Sequence, residues 1–271
     1  GHWLDVSGLR VDAGASAGAP GTWLLDPFDM RIVPSAPSLP LVALFAAGDV
    51  TFEAVASSAS VTDDDIVAAL NSGANVTVRT STNPADPTSE FGDLSMDGAA
   101  AILYSGAAPV SLTLAAYRDI RIEPGARIEA VGAGSLAVDL NADMVGAGTG
   151  NVDIFGASII TNGGALRIFG QSDPVNGFAR GRLDVESVLP GVLLVDSQIS
   201  TGSGDISIRG ESAWNDGVSL VRSSVVATDG KVSVVGRGEG NGVISHGVNV
   251  LDSTISGSAG VDIQGENTHD D

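Results

Sequence analysis

Short runs of alternating apolar and polar residues fill the last third of the chain, and they recur in the same order. Three segments carry the pattern most clearly: GVLLVDSQISTGSGDISIRG from position 191, GVSLVRSSVVATDGKVSVVG from 217 and GVNVLDSTISGSAGVDIQG from 247. Their starts lie 26 and 30 residues apart (217−191 and 247−217). Such periodicity is typical of proteins that stack copies of one structural unit.

The alternation within each segment predicts β-strands. Aligning the segments gives five apolar columns, which are Val192/Val218/Val248, Leu194/Leu220/Val250, Ile199/Val225/Ile255, Ile206/Val232/Val261 and Ile208/Val234/Ile263. The position between the first two columns varies among Leu193, Ser219 and Asn249. Because successive side chains of a strand point to opposite faces, the columns are predicted to face a core and the variable position to face outward.

These columns predict an all-β fold, a single-stranded right-handed parallel β-helix (a solenoid) with small loop or short-helix excursions. No run has both the period and the length of a crossover helix. The repeat is also shorter than the roughly 40–45 residues of a propeller blade. With coils stacked about 4.8 Å apart, we expect about ten coils and a rod about 50 Å long.

The domain organisation follows from the same pattern. Residues 1–20 are rich in Gly, Ala and Ser, and we interpret them as a linker or tag-derived lead-in. Residues 21–271 are predicted to form the β-helix, with irregular coils to about 150 and regular repeats over 150–265. The acidic triplet at 63–65, which follows Thr62, predicts the start of a short helix with its carboxylates in water.

Composition and charge narrow the classes of function. The 33 acidic and 13 basic residues give a net charge of −20, which disfavours nucleic acid and anionic membranes as partners. The absence of Cys excludes a disulfide scaffold and a thiol enzyme. Hydrophobic residues make up 43% of the chain, enough to bury a sizeable core.

Two stretches of the first half resemble the shaft of filamentous haemagglutinin-like adhesins. One is GTWLLDPFDM at 21–30, and the other is DIVAALNSGANVTV at 65–78, which a Gly-Asp-Leu strand at 92–94 follows. The resemblance covers 21–122 by phrase and 123–265 by repeat style. It implies a large bacterial exoprotein exported by two-partner secretion. The family's amino-terminal Asn-Pro-Asn-Gly motif is absent here, so the resemblance is to the shaft that follows that module.

The resemblance implies a non-enzymatic rod segment of a secreted bacterial surface adhesin, which presents binding surfaces for attachment to host cells or other cells. Its expected partners are a receptor or glycan on a host or neighbouring cell and, for the full-length protein, an outer-membrane secretion partner. The fragment itself is expected to be monomeric and secreted or at the cell surface. Two alternatives stay open, a β-helical polysaccharide lyase or hydrolase and the stalk of a contact-dependent inhibition toxin.

The aligned repeats place charged residues in outward columns. Asp196, Arg222 and Asp252 form one column, and Lys231 aligns beneath Asp205 in another. An Arg between carboxylates is a set of groups that a polysaccharide lyase or hydrolase could use. Alternating charge also relieves repulsion between stacked strands. We therefore interpret both columns as structural charge ladders and expect no catalytic residue.

Aromatic residues in loops are the candidates for stacking on a sugar. Trp214 and Phe178 are the two that we single out, with a cover for the edge of the core as the alternative role of each. The stretch 148–153 partly resembles a Gly-rich calcium-binding repeat, but it does not recur in tandem. We expect no metal site and no cofactor, and we keep calcium open as an alternative.

Overall fold

The computed structural model describes residues 29–35, 41–46, 49–54, 59–80, 91–146, 148–182, 188–240 and 245–267. They form 24 strands and one helix. No helix in these ranges is long and apolar enough to cross a membrane. The predicted lead-in over 1–20 lies outside the described residues.

The single helix is α1 (Asp63–Asn71). In chain order, the strands are β1 (Met30–Val33), β2 (Leu41–Ala46), β3 (Asp49–Ala54), β4 (Ala59–Thr62), β5 (Asn75–Arg79), β6 (Leu94–Met96), β7 (Ala101–Tyr104), β8 (Val110–Ala115), β9 (Ile120–Ile122), β10 (Arg127–Ala130), β11 (Leu136–Ala142), β12 (Val152–Phe155), β13 (Ser158–Ile160), β14 (Leu166–Gly170), β15 (Ala179–Gly181), β16 (Val192–Val195), β17 (Gln198–Ser200), β18 (Ile206–Ser212), β19 (Val218–Val221), β20 (Ser224–Ala227), β21 (Lys231–Gly238), β22 (Val248–Leu251), β23 (Thr254–Gly257) and β24 (Gly260–Asn267).

The strands stack into three sheets that surround one core, so the predicted parallel β-helix is confirmed. Sheet A runs β22-β19-β16-β12-β9-β6-β1-β4, sheet B runs β2-β3-β5-β8-β11-β14-β18-β21-β24 with β15 beside β18, and sheet C runs β23-β20-β17-β13-β10-β7. Nearly all pairings are parallel, and the main exception is the antiparallel pair β2–β3.

The number of coils is smaller than the sequence predicted. The six strands of sheet C, together with α1 at the end of that sheet, mark seven coils. In the described residues the expectation of about ten is wrong, because several stretches add residues without adding a coil, among them the β2–β3 hairpin and residues 171–182. At about 4.8 Å per coil, the stack is about 30 Å long rather than 50 Å.

The predicted inward columns are confirmed by both register and burial. Val192 pairs with Val218 and then Val248, and Leu194 pairs with Leu220 and then Val250. The sheet B columns stack in the same way, as Ile206/Val232/Val261 and Ile208/Val234/Ile263. All members of these columns before the last coil are buried. The repeat alignment therefore gives the register of the sheets directly.

Helix α1 begins at a Thr N-cap, as the sequence predicts, but its acidic triplet does not simply face water. Thr62 Oγ1 accepts a hydrogen bond from the backbone N–H of Asp65 at 3.1 Å. Asp63 is buried, and its carboxylate accepts backbone N–H bonds from Ser35, Asp64 and Ala101 at 3.1, 2.9 and 2.8 Å. This carboxylate therefore ties the helix to the next coil, which corrects the expectation of a solvated charge.

Candidate functional site

The corner between sheets A and C carries the predicted column of Asp196, Arg222 and Asp252. All three residues have left-handed backbones, with φ of 52°, 47° and 49°. Arg222 donates two hydrogen bonds to Asp196, at 2.7 Å from Nε and 2.8 Å from Nη2. The bond from Arg222 lowers the pKa of the Asp196 carboxyl. Both oxygens of Asp196 are thus engaged, and Arg222 faces Asp196 rather than Asp252.

A serine ladder runs beside this corner and explains how the backbone turns there. Ser197 N donates to Ser223 Oγ at 3.1 Å, and Ser223 N donates to Ser253 Oγ at 2.9 Å. Each serine side chain thus satisfies a backbone N–H of the preceding coil where the strands are interrupted. These hydrogen bonds link neighbouring coils beside the charge column.

Lys231 does not form the predicted ion pair with Asp205. Its backbone N–H donates to Asp205 Oδ1 at 2.8 Å, while its Nζ lies 3.7 Å from Asp262 in the following coil. The alignment correctly placed Lys231 and Asp205 in neighbouring coils. The lysine side chain, however, extends toward Asp262 in the following coil and not toward Asp205 in the preceding one.

A longer charge ladder, which sequence reasoning missed, crosses the outer face of sheet B. Its members are in register on four adjacent strands and alternate in sign: Arg180, Glu211, Arg237 and Glu266. Arg180 pairs with Glu211, and Arg237 Nε lies 3.0 Å from Glu266. The two Arg-Gly-Glu triplets, at 209–211 and 237–239, were the sequence signal for this ladder. The full column is not visible in the sequence, because Arg180 lies outside the aligned repeats.

This ladder forms the floor of an open groove of about 480 Å³. Glu239 adds a further carboxylate, and Gly148, Gly181, Ser212 and Ala213 complete the lining. Two arginines and three glutamates make the groove polar with a slight excess of negative charge. It can offer hydrogen-bond donors and acceptors in alternation to an extended polar ligand.

Phe178 is not the exposed aromatic residue that we expected. Only 5% of its surface is exposed, because Arg209 and Arg237 cover its ring at 4.3 and 4.4 Å from the ring centroid. Burial and the nearby Arg237 lower the pKa of Arg209. The ring therefore packs between two guanidinium groups and is not open to a sugar in this structure.

Trp214 comes directly after two residues that line the groove, Ser212 and Ala213. It lies in the turn after β18, and its backbone N–H donates to Ser212 Oγ at 3.4 Å. The residue is partly exposed. Of the two aromatic candidates, Trp214 is the one that remains accessible beside a polar groove.

A second polar cluster, also missed by sequence reasoning, lies where the chain enters sheet A. A polar residue directly precedes each of four strands of that sheet: Asp29, Asp93, Asp119 and Asn151. In the sequence, this cluster is marked by a polar residue before an apolar-x-apolar triplet. Asp93 N donates to Asp29 Oδ1 at 2.9 Å, and Asn151 N donates to Asp119 Oδ1 at 3.0 Å. These carboxylates receive the backbone N–H groups of successive coils.

Arginine side chains neutralise this carboxylate column. Arg118 binds Asp93 and lies 3.2 Å from Asp119, while Arg182 Nη1 contacts both oxygens of Asp119 at 2.6 and 2.5 Å. Burial and the neighbouring Asp93 nevertheless raise the pKa of Asp119. Arg182 directly follows β15 of sheet B, so its side chain connects that strand to Asp119 at the start of β9 in sheet A.

Asp153 is the most strongly perturbed carboxyl of this cluster. Only 8% of the residue is exposed, and its Oδ1 accepts a bond from Asn151 Nδ2 at 2.8 Å. Burial raises the pKa of Asp153 to about 6, since the hydrogen bond from Asn151 only partly offsets the loss of water. Asp119 raises it further, whereas Arg121 and Arg182 lower it.

Two further polar contacts lie at His246 and next to the calcium-like stretch at 148–153. His246 Nδ1 lies 2.9 Å from Asp216, which also accepts a bond from Asn249 Nδ2 at 2.9 Å. In the calcium-like stretch, Asp143 accepts the backbone N–H of Gly148. Over the described ranges, no three His, Cys, Asp or Glu side chains are placed to hold a metal ion together.

Comparison with known proteins adds no family assignment. No protein-family model matches the chain, and no curated protein matches it. The site is therefore defined by its geometry: outward charges paired between coils, and a polar groove whose lining includes Ser212 and Ala213, the two residues before Trp214.

Proposed function

We propose that this chain is a non-enzymatic rod segment of a secreted bacterial surface adhesin, which presents binding surfaces to a receptor or glycan on another cell. The observation that carries the proposal is the pairing of outward charges between neighbouring coils. Asp196 pairs with Arg222, and Arg180 pairs with Glu211, so these charges link neighbouring strands of the stack. A rod held in this way offers its side faces for binding.

The groove beside Trp214 is the face that suits a glycan best. Sugar hydroxyls both donate and accept hydrogen bonds, and alternating Arg and Glu side chains match them on both counts. Trp214 follows the lining residues Ser212 and Ala213 and is partly exposed, so its indole is the aromatic group available for stacking on a sugar bound there. The lining carries three carboxylates against two guanidiniums, which favours a neutral glycan over a polyanion.

The proposal is tested by passing a panel of neutral glycans and acidic polysaccharides over the immobilised chain, while soluble products are assayed in the same samples. We expect retention of at least one neutral glycan without cleavage, and weaker retention by Trp214→Ala. Phe178→Ala is the comparison variant, because Arg209 and Arg237 cover the ring of Phe178. A chain that retains no glycan, or that releases products, contradicts the proposal.

A second candidate, a β-helical polysaccharide hydrolase or lyase, is favoured by one observation. Asp153 is a buried carboxyl with a pKa of about 6, and a general acid works best when its pKa lies near the working pH. Its neighbour Asp119 is already held by Arg182 through both oxygens. Cleavage products that disappear in Asp153→Asn would establish this candidate in place of the adhesin.

A further inference from the structure

Arg209 differs from the other arginines of the chain in having no carboxylate partner. Of the eleven arginines in the described ranges, ten form an ion pair with an Asp or Glu side chain. Within the same ranges, Arg209 has no ion pair, and its buried Nε–H has no hydrogen-bond acceptor. Since the chain has 33 acidic residues for 13 basic ones, this unpaired guanidinium requires an explanation.

Packing on Phe178 does not explain the choice of an arginine at this position. Arg209 and Arg237 lie 4.3 and 4.4 Å from the centroid of the same ring, so two positive charges meet there. The two guanidiniums repel each other, and a buried N–H without an acceptor is unfavourable in itself. An aliphatic side chain would cover the ring without these costs. An anion bound beside Arg209 would offset the repulsion.

The acid whose charge acts on Arg209 is engaged elsewhere. This acid is Asp173, which favours the charged form of Arg209. Its carboxylate accepts hydrogen bonds from the backbone N–H groups of Val175 and Asn176, both at 3.0 Å, and from Asn176 Nδ2 at 3.2 Å. These bonds lower the pKa of Asp173 and hold its carboxylate within its own turn. Arg209 therefore has a negative charge nearby but no contact with it.

Arg209 lies beside the polar groove. It is on the outer face of β18, two residues before Glu211, which lines the groove. Arg237 also lines the groove, and it contacts the same Phe178 ring as Arg209. Arg209 is only partly buried. A ligand that occupies the groove can therefore reach Arg209 with a terminal group.

The charges around the groove indicate which anion suits Arg209. The groove is lined by Glu211, Glu239 and Glu266, which repel any anion. A phosphate carries nearly twice the charge of a carboxylate and meets correspondingly more repulsion. A guanidinium also presents parallel N–H donors that match the two oxygens of one carboxylate. A single carboxylate therefore suits this position better than a phosphate.

We propose that Arg209 binds the carboxylate of an acidic sugar, which ends an otherwise neutral glycan in the groove. Arg237 adds a second positive charge beside this carboxylate, while its Nε remains paired with Glu266. One carboxylate is compatible with a lining that disfavours a polyanion. The inference rests on the proposed glycan binding and adds to it the chemical class of one sugar.

The test compares three free sugars that share one ring and differ at carbon 6, namely glucose, glucuronate and glucose 6-phosphate. Each is titrated into the full ¹⁵N-labelled chain, and the arginine Nε–H signals are followed by NMR. We expect glucuronate to bind about tenfold more tightly than glucose, because one charge-assisted pair is added. Glucuronate should also bind more tightly than glucose 6-phosphate, and it should shift the Arg209 signal. About 0.5 M NaCl should reduce the preference.

Two substitutions at Arg209 separate its charge from its packing. Arg209→Gln removes the charge, and Arg209→Leu removes it while a side chain still covers Phe178. Both should abolish the preference for glucuronate, and the loss of one Nε–H signal identifies that of Arg209. Arg167→Gln is the matched control, because Arg167 lies on the outer face of the same sheet but pairs with Asp139 and does not line the groove. It should keep the preference.

The outcomes distinguish this inference from the proposed function. Equal binding of glucuronate and glucose, or binding of neither, overturns the inference, whereas the glycan panel tests the proposed function separately. Tighter binding of glucose 6-phosphate, or a preference for glucuronate that persists in both Arg209 variants, also overturns it. Binding of glucuronate through Arg209 with no glycan of the panel retained would support the carboxylate site and contradict the proposed function.

Discussion

At the scale of single residues, the chain uses charged side chains where left-handed backbone would ordinarily favour Gly. Asp196 and Asp252 suit this conformation because a short polar side chain tolerates it, whereas Arg222 at φ 47° is unusual. Its two bonds to Asp196 hold it there. The repeat alignment predicted this column of charges. It did not predict the left-handed backbone conformation, because the same residue types also occur at outward positions of extended strands.

Asp153 provides a prediction about pH. Its pKa is about 6 in the folded chain and 3.8 when exposed, so the folded state binds the proton more tightly between these values. The stability contributed by the protonated form is present below about pH 4 and is lost as pH rises to about 6. Asp153→Asn should therefore raise the free energy of unfolding at pH 7.5, by up to about 3 kcal/mol, with little change at pH 4.

Urea titrations at the two pH values measure this difference. Asp196→Asn is the control, since the pKa of Asp196 is lowered by Arg222 and its loss should not stabilise the chain at pH 7.5. A lower stability of Asp153→Asn at pH 7.5 would show that the ionised carboxylate is favourable in the fold, against our account.

At the scale of strands and coils, the sequence predicted most of what the structure has. In-phase repeats with a period-two alternation determine both the inward face and the register, so the columns from Val192 to Ile263 could be read directly. The sequence did not allow us to predict the number of coils. It also did not predict that the ring of Phe178 is covered or that Asp63 is buried. Each depends on an excursion that packs against the stack, and no repeat places those excursions.

The glycine column Gly210/Gly236/Gly265 gives a prediction at this scale. A Cβ on Gly236 would overlap the carbonyl oxygen of Gly247, where sheets B and A approach closely, whereas a Cβ on Gly265 would come no nearer than 3.2 Å to Val248 N. Gly236→Ala should thus lower the free energy of unfolding by about 2–3 kcal/mol, and Gly265→Ala by about 1 kcal/mol or less. Equal effects in thermal or urea unfolding would contradict this close approach.

At the scale of the whole molecule, one continuous core runs through seven coils and ends differently on its two sides. Because each coil contacts only its neighbours, stability is distributed along the stack. Within the described residues, β22, β23 and β24 have a neighbouring strand on one side only, while α1 and the hairpin lie at the other end. Unfolding of this chain should therefore begin at the β22–β24 end.

Hydrogen exchange of the full chain tests this order. The amides of β22 to β24 should exchange fastest among the strands, and those of β12 to β14 and β16 to β18 slowest, since the latter have paired strands on both sides. Uniform exchange along the stack would mean that the coils unfold as one unit instead.

The central claim is that the rod presents binding surfaces for attachment, and the most direct measurement is retention of chain-coated beads on host cells under flow. Our account predicts retention several-fold above that of albumin-coated beads. It also predicts a clear reduction for Trp214→Ala beads and no release of soluble glycan. Retention equal to that of albumin-coated beads, or detachment accompanied by glycan cleavage, would contradict it.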